Sequence, residues 1–281
     1  MIYNRIKSYA KINLALNVVG KTSLLHKIES IIAFVDLHDT IMIRRIKSKN
    51  HEISFFGKFS KNIIQDNSVV NLLKILEKKK LLNNQKFQIK INKQIPNKAG
   101  LGGGSMNAAN ILKYFVQNKI IKINKKETIK NSKLVGSDVF LGINSTNSIL
   151  TSQNKIKYFK KCKKFHTLIV KPNFGCSTKE IYAKVRKFNK PIIKLPNKNM
   201  FNLNYLKKMS NSLEQIALSE YPKLRSIKFY LEGLSKQVFV RMTGSGSALV
   251  AYFESRERCL NAKKMFNKKY KNYWCIVSKT I

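Results

Sequence analysis

One stretch restricts the possible folds more than any other. It is Pro96-Asn97-Lys98-Ala99-Gly100-Leu101-Gly102-Gly103-Gly104-Ser105, set between an alternating segment and an apolar pattern of helical period. Glycine lets a backbone approach a ligand closely and turn its N–H groups inward, and a helix N-terminus behind it adds the positive end of a dipole. Such a loop holds phosphate without a charged side chain, whereas a flexible linker would not be built between a strand and a helix. The Gly-Lys-Ser/Thr of a Walker A loop is missing, and so is the G-x-G-x-x-G of a dinucleotide turn.

Around this loop, period-two segments at 10–19, 40–46, 87–92, 167–171 and 238–242 alternate with helical stripes. The stripes are Val69, Leu72, Leu73 and Leu76; Ala108, Ala109, Leu112 and Phe115; and Ile181, Val185 and Phe188. Ser177 and Glu180 have the spacing of a capping box at the start of the last one. The alternation predicts an α+β protein rather than a bundle or a sandwich. With 281 residues there is material for two domains. A polar, lysine-rich passage over 144–164 puts the boundary near residue 152, giving domains 1–152 and 153–281.

Charge and cysteine content narrow the class. The 55 basic residues face 14 acids, a formal charge of +41, yet only 8 of the bases are arginine. The excess is spread over both halves, +18 in residues 1–150 and +23 in 151–281, and aromatic residues do not interleave with a basic stripe. A specific nucleic-acid binder concentrates its charge and leans on arginine, so no specific nucleic-acid partner is expected. The field still draws anionic substrates inward. Cys162, Cys176, Cys259 and Cys275 form no C-x-x-C pair and do not cluster with histidine, which points away from zinc and disulfides and towards a reducing compartment. No apolar run approaches the ~18 residues of a membrane span, and the N-terminus has no signal-peptide core. A cytoplasmic protein without a membrane partner is expected.

At the glycine loop the chain resembles the GHMP small-molecule kinases, whose second motif is P-x-x-x-G-L-G-S/G-S-x-A-A. The three-glycine form, followed by Met106, Asn107, Ala108 and Ala109, is most similar to the branch acting on 4-diphosphocytidyl-2-C-methyl-D-erythritol. The likeness extends over nearly the whole chain. Ala10-Lys11-Ile12-Asn13-Leu14, Asp66-Asn67, Leu134-Val135-Gly136-Ser137-Asp138-Val139 and Arg241-Met242-Thr243-Gly244-Ser245-Gly246-Ser247 are similar to the family's other motifs, in the same order. The resemblance implies a two-domain fold, with an N-terminal α/β domain of ribosomal-protein type and a C-terminal ferredoxin-like domain. It implies ATP and Mg2+ as cofactors, a cytidyl small-molecule substrate, and transfer of the γ-phosphoryl group to that substrate's 2-hydroxyl in isoprenoid precursor synthesis. Homoserine- or mevalonate-type kinases are the alternative inside the superfamily, and a basic RNA-binding protein is the alternative outside it.

Residue roles follow from the same resemblance. Asp138 is the general base and Lys11 the cation beside it. Nucleotide contacts are expected from Asn67 and Lys93, bordering the adenine, and from Pro96, Ala99, Gly100, Leu101, Gly102, Gly103, Gly104 and Ser105. Asn13, His26, Thr178, Tyr182, Gly244, Ser245 and Gly246 are expected to line the acceptor substrate, with Tyr182 stacking on the base and His26 reading its edge. This chain departs from the family in three places, one of them Val139-Phe140-Leu141, which lacks the family's usual proline. Ser23, Leu24 and Leu25 replace an aspartate, a glycine and a tyrosine before His26, so one stacking ring is lost. Met106 stands where the family has a serine, leaving Ser105 as the neighbouring hydroxyl.

Overall fold

The computed structural model describes residues 2–23, 25–61 and 63–281; Leu24, one of the three substituted positions before His26, lies outside the described residues. Two long strands open the chain, β1 (Asn4–Lys21) and β2 (His26–Ile46), and they pair with each other. The turn between them is closed by Thr22 N–H donating to the Leu25 carbonyl at 2.7 Å. Packing divides the protein into two units. One comprises the chain as far as Lys11, Leu37–Asn97 and Gly102–Ser145; the other comprises Ile12–Asp36, Lys98–Leu101 and Thr146–Ile281. Neither is a continuous stretch, because β1, β2 and the glycine loop each contribute to both.

In the first unit β4 (Lys86–Asn92) lies between β3 (Glu52–Phe56), parallel with Ile53 opposite Ile89, and the C-terminal half of β2, antiparallel with Ile43 opposite Ile89. Helix α1 (Ser68–Lys78) buries Val69, Leu72, Leu73 and Leu76, the stripe read from the sequence. Helix α2 (Gly103–Gln117) buries Ala108, Ala109, Leu112 and Phe115 in the same core, beside Ile41, Ile43, Ile89 and Ile91. The alternation of β-branched residues on the strands and leucine or alanine on the helices is what lets a sheet face and two helical stripes share one core. Helices α3 (Lys125–Val135) and α4 (Val139–Gly142) follow.

The long last segment of the second unit starts with a hairpin, β5 (Ser148–Leu150) and β6 (Ile156–Tyr158), whose β5 pairs with Ser30–Ile32 of β2. Residue 152 falls in the turn of this hairpin. An antiparallel sheet then forms in the order β10-β7-β9-β8 from β7 (His166–Lys171), β8 (Phe239–Met242), β9 (Leu249–Phe253) and β10 (Trp274–Lys279). Between β7 and β8 run α5 (Thr178–Ala183), α6 (Leu203–Lys208), α7 (Glu214–Glu220) and α8 (Pro222–Glu232), and α9 (Arg256–Lys269) precedes β10. Leu168, Val170, Leu249, Ala251, Ile227, Leu231, Ala262 and Phe266 belong to one core. The α+β class is therefore what the structure has.

One helical pattern ends early. Ser177 caps α5 by accepting from Glu180 N–H at 3.3 Å, as the spacing predicts, but the helix stops at Ala183, so Val185 and Phe188 lie beyond it. Tertiary hydrogen bonds take the chain instead, beginning with Asn189 N–H to the Val18 carbonyl at 2.9 Å. A short helix gains too little from propagation to resist that competition.

Arg241 ties three segments of the second unit together. Its buried guanidinium donates to the carbonyls of Leu14, Leu206 (3.1 Å) and Met209. Arg241→Leu should leave those acceptors without a donor and cost ~3–5 kcal/mol, lowering the midpoint of thermal unfolding by several degrees in scanning calorimetry.

Candidate active site

Helix α2 begins where the glycines end. Gly102 occupies the N-cap position in the left-handed region (φ 69°) and supplies no side-chain cap. Met106 N–H makes the first helical bond, to the Gly102 carbonyl at 2.8 Å. The first N–H groups of the helix, those of Gly103, Gly104 and Ser105, precede that bond and have no helical acceptor. This is the geometry of an anion cradle, with the helix dipole behind it.

The glycines serve three different purposes. A Cβ on Gly102 would lie 3.4 Å from Cε of Lys11, so the lysine stem runs alongside the start of the helix. A Cβ on Gly103 would meet Ile95 at 3.1 Å and the Lys93 ammonium at 3.2 Å, so that residue faces the protein interior. Gly104 is exposed, and a Cβ there would have only Ser68 Oγ nearby, at 3.7 Å. Gly100 belongs to the second unit, has φ 72°, and would drive a Cβ to 2.0 Å from the Thr243 carbonyl oxygen. It is needed for backbone packing against the third motif. Pro96, Ala99 and Leu101 are buried and anchor the loop with their side chains.

Beside the cradle, in the same unit, Lys11 and Asp138 form an ion pair, Nζ to Oδ2 at 3.3 Å, with side chains 4% and 38% exposed. Asp138 precedes α4 at its N-cap, yet its carboxylate makes no capping hydrogen bond there. A helix-capping explanation for this aspartate therefore fails on geometry. α4 packs tightly on α2: a Cβ on Gly142 would come within 2.7 Å of the Ala109 methyl and 2.8 Å of Met106 Sδ. The methionine standing in place of the family's serine is fully buried and fills this contact.

A buried carboxylate that the sequence reading missed organises the approach to the loop. Asp39, on β2, accepts from the N–H groups of Gln94 and Ile95, both at 2.8 Å, from Asn107 Nδ2 at 2.9 Å and from the Lys93 ammonium. Lys93, expected beside the adenine, thus has its charged end engaged by Asp39 in the interior. The signal was available, since an aspartate inside the apolar pattern Leu37-His38-Asp39-Thr40-Ile41 must find partners. Asn67, also expected near the adenine, caps α1, its Oδ1 accepting from Val69 N–H (3.0 Å) and Val70 N–H (3.3 Å).

The remaining expected substrate residues lie together in the second unit. Asn13 donates from Nδ2 to Ser30 Oγ at 2.7 Å and from its backbone to Thr243 Oγ1 at 3.0 Å. Thr243 Oγ1 also donates to the Gly100 carbonyl at 3.2 Å. Asn211, which the sequence reading did not single out, holds the third motif's turn by donating to the carbonyls of Met242 and Gly244, both at 2.8 Å. Ser245 Oγ is 2.8 Å from Thr178 Oγ1. A Cβ on Gly246 would lie 3.1 Å from Cys176 Sγ, a thiol that burial pushes up to about 11 and so keeps protonated. His26 and Tyr182 are in ring contact, centroids 5.0 Å apart. Burial first, and the nearby Lys21 second, hold the His26 imidazole below its usual 6.5, so it is neutral at pH 7.

Comparison with known proteins identifies the family. Residues 67–149 match the GHMP kinases N terminal domain. A 4-diphosphocytidyl-2-C-methyl-D-erythritol kinase of Pelagibacter ubique is 56% identical over 99% of both chains, and one from Clostridium tetani is 33% identical over 99% of this chain and 100% of its own. A solved 4-(cytidine 5'-diphospho)-2C-methyl-D-erythritol kinase has a TM-score of 0.77 at 21% identity, covering 99% of this chain and 100% of that one. The Methanococcus jannaschii mevalonate kinase scores 0.69 at 16% identity, covering 99% and 98%. The two-domain fold is thus that of a GHMP-type, ATP-dependent small-molecule kinase. Within that class, the chain belongs to the 4-diphosphocytidyl-2-C-methyl-D-erythritol kinase family.

The different settings of the glycines make a testable contrast. Gly104→Ala should leave thermal stability unchanged or raised by up to ~1 kcal/mol, since alanine favours a helix, while the KM for ATP rises. Gly100→Ala should lower stability by more than the ~1–2 kcal/mol of a left-handed residue, because of the carbonyl clash. Calorimetry and ATP titration of the two variants separate the roles.

Proposed function

We propose that the protein transfers the γ-phosphoryl group of ATP to the 2-hydroxyl of 4-diphosphocytidyl-2-C-methyl-D-erythritol, in the cytoplasm, as a step of isoprenoid precursor synthesis. The observation that carries the chemistry is the Lys11–Asp138 pair at 3.3 Å, with the lysine stem alongside the uncapped start of α2. The identity to the Pelagibacter and Clostridium kinases favours the cytidyl acceptor over homoserine or mevalonate. Among the described residues no helix is long and apolar enough to cross a membrane.

In this mechanism the N–H groups of Gly103, Gly104 and Ser105 hold the triphosphate, and the first-turn dipole favours its charge. Asp138 Oδ2 accepts the proton of the acceptor hydroxyl as its oxygen attacks the γ-phosphorus in line with the departing ADP oxygen. The Lys11 ammonium stabilises the developing alkoxide and the charge on the transferring group. Asn13, fixed by Ser30 and Thr243, is the proposed contact to the acceptor, and Thr178, Tyr182, Ser245 and His26 form its cytidyl side.

Among the described residues no group of three or more His, Cys, Asp or Glu could cage a metal ion. Mg2+ would be carried in on the ATP phosphates, where it would neutralise phosphate charge, and Ser105 at the start of α2 is the hydroxyl that would ligate it.

The test is ADP release with the cytidyl-erythritol substrate beside homoserine and mevalonate; turnover confined to one of the latter two would overturn the assignment. Asp138→Asn should cut kcat by ~10²–10⁴-fold, the contribution of a general base, with the ATP dissociation constant near that of the wild type.

A further inference from the structure

Three aromatic rings meet in the second unit, and one of them is so far without a role. The His26 imidazole touches Tyr182, centroids 5.0 Å apart, and also Phe188, centroids 6.2 Å apart and tilted by 57°. Phe188 is 46% exposed. A singly exposed apolar side chain is ordinary; one locked in place against a nucleobase-reading cluster is not.

The locking is done by the backbone that follows it. Glu29, with no exposed surface, accepts from Ile192 N–H at 2.9 Å, Ile193 N–H at 3.3 Å and Asn17 Nδ2 at 3.4 Å. Asn17 Nδ2 also donates to the Lys190 carbonyl at 3.2 Å, and Asn189 Nδ2 donates to Asn17 Oδ1 at 2.8 Å and Ser212 Oγ at 3.0 Å. A fully buried carboxylate is costly to desolvate, and here it is committed to a strap with no regular secondary structure over 184–193. The strap is also what ends α5 early, carrying Phe188 out of the helical stripe to which its spacing assigned it. Pre-organising a ring in this way removes the ordering cost that a free side chain would add on binding. Leu25, the residue before His26, is 61% exposed and offers no π-face.

We infer that Phe188 is a second ring of the base-binding pocket and stacks on or edges the cytosine that Tyr182 and His26 also contact. This rests on the cytidyl reading above for the identity of the base. A nucleobase is flat and polarisable, and each aromatic side chain stacked on it contributes ~1–3 kcal/mol.

Calorimetric titration with cytidine 5'-monophosphate tests the inference without depending on turnover. Phe188→Ala should weaken binding by at least about fivefold, the lower end of that stacking range. Phe188→Trp should restore it, and Phe229→Ala, which removes another exposed ring, should change nothing. The KM for ATP should be unaffected in all three. Equal affinity of Phe188→Ala and wild type, or no binding of the nucleotide by wild type, would overturn the inference. If the nucleotide binds and binding depends on Phe188 while the cytidyl-erythritol alcohol is not phosphorylated, the base pocket stands and the acceptor assignment falls.

Discussion

The structure turns on an ammonium group that has almost no access to water. Lys11 sits in the middle of an apolar strand, and an ammonium stripped of its hydration must have a carboxylate and further polar contacts or lose its charge. Asp138 supplies the carboxylate, but unevenly, since the lysine is closed off while the aspartate keeps more than a third of its side-chain surface open. A purely structural ion pair has no need of that asymmetry. An aspartate open on one side can receive a proton from a bound alcohol while the buried cation holds its position.

Several features that look unrelated exist to keep that pair and the cradle in register. α4, which carries Asp138 at its start, is pressed against α2 where Gly142 leaves room for Met106 and Ala109. The lysine stem runs along Gly102, so the same glycine that turns the chain into α2 also makes space for Lys11. Asp39 ties the end of β4 to α2 through the N–H groups of Gln94 and Ile95 and through Asn107. An error at any of these contacts would displace a charged group by about the distance that matters for proton transfer.

Much of this was legible in the sequence, for identifiable reasons. The stripes of α1 and α2 were plain because their leucines, alanines and Phe115 bury against one sheet face. Lys11 and Asp138 were legible through the resemblance of the motifs that carry them, and Lys11 is also a charge inside an apolar strand. What could not be read was how backbone meets backbone. The requirement for glycine at 100 comes from the Thr243 carbonyl, 143 positions away in the chain, and nothing local marks it. Asp39 and Glu29 carried the signal of an acid in an apolar strand, but each is held partly by main-chain N–H groups, which have no sequence signature, and partly by side chains far from it in the sequence. For the same reason Phe188 was read as part of a helical stripe, although long-range hydrogen bonds, accepted by Glu29 and donated by Asn17, capture that segment.

The central claim is that Lys11 and Asp138 act on the transition state as one unit. A double-mutant cycle on kcat, using Lys11→Met, Asp138→Asn and the combined variant, tests it directly. If the two act together, the combined variant should be slowed little beyond the worse of the two single variants, as is found for residues that share one catalytic function. Losses that multiply, so that the combined variant is slowed by the product of the single effects, would show two independent contributions and contradict the account.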